Sequence, residues 1–114
     1  MHEMSIAQNI VEIVEEILQS QVDSSVLRVF VKIGKLVAVV PESLEFCYDA
    51  ITAGTTLEKS KLVIEEIPVR VRCKKCENLF QVQSFVFKCP TCYSIELETI
   101  SGRELTVSEI EVDE

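Results

Sequence analysis

A chain of 114 residues with a net charge of −8 is one domain, or one domain with a small insertion. The acidic balance weighs against nucleic-acid binding, which needs clustered Lys and Arg to meet phosphates. The longest apolar run, Leu36 to Val40, stops at Pro41, far short of the ~18 residues that span a bilayer. Met1-His2-Glu3 has neither the basic start nor the continuous apolar stretch of a signal peptide, so the chain is expected in the cytoplasm.

The first predicted element is an amphipathic helix running to about Gln21. Ser5 and Gln8 suit a capping box, and Ile6, Ile10, Ile13, Val14, Ile17 and Leu18 recur at spacings of three and four. Leu27, Val29, Val31 and Ile33 alternate with polar or outward positions and read as a strand ending at Gly34. Pro41 and Glu42 suit the first turn of a second helix, with Leu44, Cys47, Tyr48 and Ile51 as its buried stripe and Gly54 as its stop. On that stripe Cys47 reads as a small buried hydrophobe. Lys61 to Ile67 is a second strand, halted by Pro68. Glu104 to Val112 is a last strand whose parity slips between Val107 and Ile110, so a bulge is expected there.

A strand, helix and strand in succession favour a parallel pair. The expected fold is therefore α/β, with two helices on a small three-stranded mixed sheet and an inserted zinc-ribbon-like domain. Residues 1–68 with 104–114 would form the α/β domain, and residues 69–103 the ribbon, with Pro68 and Ser101-Gly102 as its stems. About 35 residues are too few for a core alone, and metal binding can supply the missing stability.

Cys73-Lys74-Lys75-Cys76 and Cys89-Pro90-Thr91-Cys92 stand twelve residues apart. Two such knuckles fold over one another and present four thiolates to a tetrahedral ion, for which zinc is the best fit. With all four positions held by protein, the ion has no site for water or substrate and is structural. A rubredoxin-like iron site would want a longer separation and a denser aromatic shell than Phe80, Phe85, Phe87 and Tyr93 supply. A dithiol switch would need one knuckle to titrate alone. Six basic and three acidic residues between Val69 and Arg103, against five and sixteen elsewhere, compensate the charge of four thiolates around one divalent ion. A small RNA-binding ribbon is the weaker reading of the same imbalance.

That leaves His2, the single histidine, for another task. The Met1 amine, the His2 amide nitrogen and its imidazole Nδ1 can close fused chelate rings on one ion. Glu3 adds an amide nitrogen or a carboxylate. A nitrogen-rich planar set suits Ni(II) or Cu(II) rather than zinc.

Met1-His2-Glu3, Ile33-Gly34-Lys35-Leu36, Pro41-Glu42-Ser43-Leu44-Glu45-Phe46, the two cysteine knuckles and Ser101-Gly102-x-Glu104-Leu105 together resemble the HypA/HybF family, nickel metallochaperones of [NiFe]-hydrogenase maturation. The resemblance covers nearly the whole chain. It implies a nickel-binding domain with His2 as the essential ligand beside the Met1 amine and the Glu3 segment. It also implies a zinc domain held by Cys73, Cys76, Cys89 and Cys92. The implied partners are a HypB-like GTPase and a hydrogenase large-subunit precursor. Tyr93 departs from the family pattern, which usually has glycine after the second knuckle, and this bears on the local backbone rather than on the ligands.

The leading reading is a transfer protein and not an enzyme: no Ser/His/Asp set and no phosphate-cradling glycine loop is visible. The alternative is a structural zinc-ribbon adaptor without nickel transfer. Exchange of the ribbon between two chains through the Pro68 stem would give a homodimer.

Overall fold

A computed structural model describes residues 2–19 and 25–113 of the chain. Helix α1 spans Glu3–Leu18 and buries Ile6, Ala7, Ile10 and Val14. It starts two residues before the expected capping box: Ser5 lies inside the helix, and the cap is His2, which makes no side-chain capping bond. The first turn makes a tertiary contact instead, because the Glu3 carboxylate accepts the N–H of Val40, the residue that precedes the second helix, at 3.2 Å. The helix ends at Leu18, earlier than expected, while Gln21 lies outside the described residues.

Strand β1 (Ser25–Gly34) leads through a 3₁₀ turn, Lys35–Val37, to helix α2 (Pro41–Thr52). Pro41 sits in its first turn as the sequence suggests, and Leu44, Tyr48 and Thr52 are its buried residues, with Cys47 and Ile51 half-buried against the same core. Gly54 takes φ +78° just past the helix end, a left-handed position that favours glycine. Strand β2 (Lys61–Ile67) runs parallel to β1, as the crossover requires. Three short strands follow: β3 (Arg70–Cys73), β4 (Leu79–Gln81) and β5 (Leu97–Ser101). Strand β6 (Leu105–Asp113) returns antiparallel to β1.

The result is two three-stranded sheets, ordered β2-β1-β6 and β4-β3-β5. The first sheet is mixed and carries both helices on one face; its core joins α1, β1, α2 and Leu62 around Val14, Val29, Val31, Leu44 and Tyr48. The second sheet is all antiparallel, with a smaller core of Val69, Val71 and Val82. Its strands fall in sequence between β2 and β6. The molecule is elongated, 56 × 24 × 17 Å.

The expected bulge in the last strand is present: β1 and β6 slip register where Phe30 faces Glu109 and Val31 faces Val107. A second slip, between Val26 and Arg28, corrects the reading of Leu27. Its extra residue inverts the side-chain parity, so Val26 is buried and Leu27 is 42% exposed.

Candidate metal centres

Two tight turns build the cysteine cluster, one at each knuckle, and they repeat the same backbone pattern. In the first, the Cys73 N–H donates to the Asn78 carbonyl and the Glu77 N–H to the Cys73 carbonyl, both at 2.9 Å. In the second, the Cys89 N–H donates to Ser94 and the Tyr93 N–H to Cys89, again at 2.9 Å. The residue after each pair is left-handed, Glu77 at φ 62° and Tyr93 at φ 63°. Tyr93 thus holds the conformation that glycine would relax, and its ring lies 5.0 Å from the Lys88 Nζ.

The four sulfurs lie within 4.8 Å of one another, with Cys73 to Cys92 and Cys76 to Cys89 at 3.5 Å each. Tetrahedral zinc with Zn–S bonds near ~2.3 Å places its sulfurs about 3.8 Å apart, so the set fits such an ion with little movement. All four are free thiols in this structure. Among the described residues, no other group of three or more His, Cys, Asp or Glu closes to this range.

The backbone also prepares the sulfurs for negative charge. The Cys92 N–H, helped by that of Thr91, pulls the Cys89 thiol down to about 6 against the cost of its burial. The Cys76 and Lys75 N–H groups lower Cys73 in the same way. Cys76 receives the Asn78 N–H, but partial desolvation and the crowding sulfurs of Cys89, Cys73 and Cys92 outweigh it and push the thiol up to about 12. Cys92 receives the Ser94 N–H, yet the Cys73 sulfur and desolvation raise it too. In each knuckle one thiol is thus lowered and the other raised, and a bound divalent ion would favour the ionised form of all four.

The structure puts the other candidate residues at the opposite kind of place. His2 is exposed, in an extended conformation (φ −80°, ψ 121°), immediately before α1. Its carbonyl accepts the first helical bond, from the Ile6 N–H at 3.2 Å, so the Glu3 amide lies upstream of the helical ladder. The Glu3 carboxylate is held below the ordinary range, chiefly by the Val40 N–H and then by its own. Met1 lies outside the described residues.

Two features of these places escaped sequence reasoning. The left-handed turn at Glu77 carries no signal, because Glu77 is not glycine, whereas Tyr93 is marked only by the glycine that the family usually has there. The Glu3 to Val40 contact joins residues 37 apart, and nothing local marks it.

Comparison with known proteins agrees with this layout. The chain matches the HypA family, described as hydrogenase/urease nickel incorporation, metallochaperone, over residues 1–112. A hydrogenase maturation factor HypA of Geobacter sulfurreducens is 42% identical over 113 residues, covering 99% of this chain and 100% of that one. The corresponding factor of Desulfosudis oleivorans is 45% identical over 115 residues, covering 100% of both. The solution structure of the Ni metallochaperone HypA from Helicobacter pylori matches with a TM-score of 0.68 over 97% of each chain; at 22% identity it speaks for the fold alone. No helix among the described residues is long and apolar enough to cross a membrane. A chain with this fold and these whole-length relatives belongs to the HypA family, which consists of nickel-incorporation metallochaperones of hydrogenase maturation and not of enzymes.

Proposed function

We propose that the chain binds Ni(II) at its own N-terminus and delivers it to [NiFe]-hydrogenase maturation in the cytoplasm, with a structural zinc held separately by Cys73, Cys76, Cys89 and Cys92. The nickel ligands are the Met1 amine, the His2 amide and imidazole, and the Glu3 amide. Of the two Glu3 donors the amide is favoured, because the carboxylate is engaged with Val40 and the amide is free of the helical ladder. Residues 1–68 with 104–114 act as the nickel-binding domain and residues 69–103 as the zinc domain. The receiving partners are a HypB-like GTPase and a hydrogenase large-subunit precursor.

The observation that carries this reading is the contrast between the two sites. The four cysteines complete a coordination sphere by themselves, whereas His2 is exposed immediately before α1. Permanent binding suits the first arrangement and release suits the second. Two deprotonated amides would cancel the charge of the ion, so the positive end of the α1 dipole is no obstacle. Because the ligands must be deprotonated to bind, nickel affinity falls as pH drops.

Nickel and zinc titration of untagged protein, with metal analysis, tests the proposal. One nickel beside one zinc is expected, with nickel lost in His2→Ala and in protein extended before Met1, and kept in Glu3→Gln. Unchanged nickel affinity in His2→Ala removes the proposal. One zinc and no nickel site would leave the zinc-ribbon adaptor as the function.

A further inference from the structure

The edge of the first sheet formed by β6 is the longest unpaired strand edge among the described residues. Nine residues, Leu105–Asp113, pair with β1 on one side and with no described strand on the other. Natural edges of this length are usually covered or blunted, because their free N–H and C=O groups template further pairing. Beside this edge lies a groove of about 330 Å³ between β6 and the C-terminal end of α1, with Leu18, Val107, Ile110 and Val112 in its wall and Ser108 and Glu109 at the bulge. The bulge keeps Val107 and Ile110 on the same side of the sheet, so both contribute apolar side chains to the groove on either side of Ser108 and Glu109.

The opposite face of the same strand has a different chemistry. Glu109, Glu111 and Asp113 lie beside Phe30, Arg28 and Ser25 of β1. Arg28 neutralises Glu111, while Glu109 and Asp113 have no cationic partner among the described residues. A strand laid along β6 would therefore meet Val107, Ile110 and Val112 on one face and the unneutralised carboxylates of Glu109 and Asp113 on the other. Because side chains alternate along a strand, these two faces together specify a pattern.

We propose that the β6 edge receives an extended segment of a protein partner in which apolar residues alternate with lysine or arginine. Main-chain pairing holds the segment in register, its apolar side chains fill the groove against α1, and its cations meet Glu109 and Asp113. A second copy of this chain is the wrong occupant. Two β6 edges brought together would set acids against acids, and each copy has a net charge of −8. The acids that keep like edges apart thus admit a basic strand.

The probe is a nine-residue peptide of alternating valine and lysine, titrated into zinc-loaded full-length protein near physiological salt and followed by amide NMR. Two controls accompany it: a block isomer with all valines before all lysines, and the alternating peptide N-methylated throughout. The expected result is shifted amides in residues 105–113 and at the C-terminal end of α1, with both controls binding at least roughly tenfold more weakly. The double variant Glu109→Lys with Asp113→Lys should lose roughly tenfold for the alternating peptide, and its amide spectrum reports that it is folded. Equal binding of the block isomer, shifts centred elsewhere, or a peptide-excluding dimer built on β6 would each overturn the proposal.

Discussion

Replacing Gly34 with alanine should damage the junction of the two sheets, and the structure supplies the magnitude. Gly34 ends β1 in ordinary extended backbone (φ −70°, ψ 146°), so its conformation does not demand glycine. Space does. A Cβ there would lie 1.9 Å from the Gly102 oxygen, 2.0 Å from the Gly102 carbonyl carbon and 2.5 Å from the Arg103 nitrogen. All three are backbone atoms, which no rotamer change can move aside. The strand would have to retreat from residues 102–104, straining two hydrogen bonds of 2.8 Å: Gly34 N–H to the Glu104 carbonyl and Leu36 N–H to the Gly102 carbonyl. Overpacking costs about 1–3 kcal/mol, and each lost bond about 1 kcal/mol. The stiffer unfolded chain returns about 0.4–1 kcal/mol. A net destabilisation of about 2–4 kcal/mol follows, read as a melting point lower by roughly 10 °C. Thermal and urea unfolding of the zinc-loaded protein measure it. Gly54→Ala is the matched control, because Gly54 has φ +78° and nothing within 4 Å of its added Cβ. Its cost is conformational only, about 1 kcal/mol. If Gly34→Ala unfolds within about 0.5 kcal/mol of the parent, the close-approach account of the junction is wrong.

Four further outcomes are expected. The buried Tyr48 hydroxyl donates to Ser60 Oγ at 2.5 Å, and Ser60 donates on to the Leu57 carbonyl at 2.6 Å. Ser60→Ala strands the phenol and should cost about 1–3 kcal/mol by denaturant unfolding; no measurable change would refute the relay. Burial raises the Tyr48 pKa above its usual 10.0, against the lowering effect of Ser60. The unfolded phenol then ionises first, so stability is complete below pH ~10 and falls as pH rises toward the folded value. Tyr48→Phe should flatten that alkaline loss in pH-dependent melts. Zinc uptake by metal-free protein at pH 7 should release the protons of Cys76, held up at about 12, and of Cys92, also raised. Calorimetry in buffers of different ionisation enthalpy counts them, and zero release contradicts the geometry. Tyr93→Gly relieves a left-handed residue worth about 1–2 kcal/mol, but loses the Lys88 contact and some chain stiffness. Stability within about 1 kcal/mol of the parent and undiminished zinc affinity in a chelator competition are expected.

Much of this molecule is written locally. The four cysteines declare a metal site because two knuckles at ribbon spacing bring four ligands together in almost any fold. Apolar spacing of three and four marks α1 and α2, alternation marks β1 and β2, and the crossover between them dictates a parallel pair. The place of His2 at the chain's beginning is likewise a fact of sequence. Only the tertiary structure decided which way the register slips, and with it that Val26 rather than Leu27 enters the core. It also decided that Gly34 must yield its Cβ space to Gly102 and that Glu3 reaches Val40. The groove beside β6 exists only because α1 and β6, at opposite ends of the chain, pack on the same sheet. Side-chain periodicity and ligand spacing are set by bonds a few residues apart, whereas register, close approach and open edges depend on which distant segment arrives opposite.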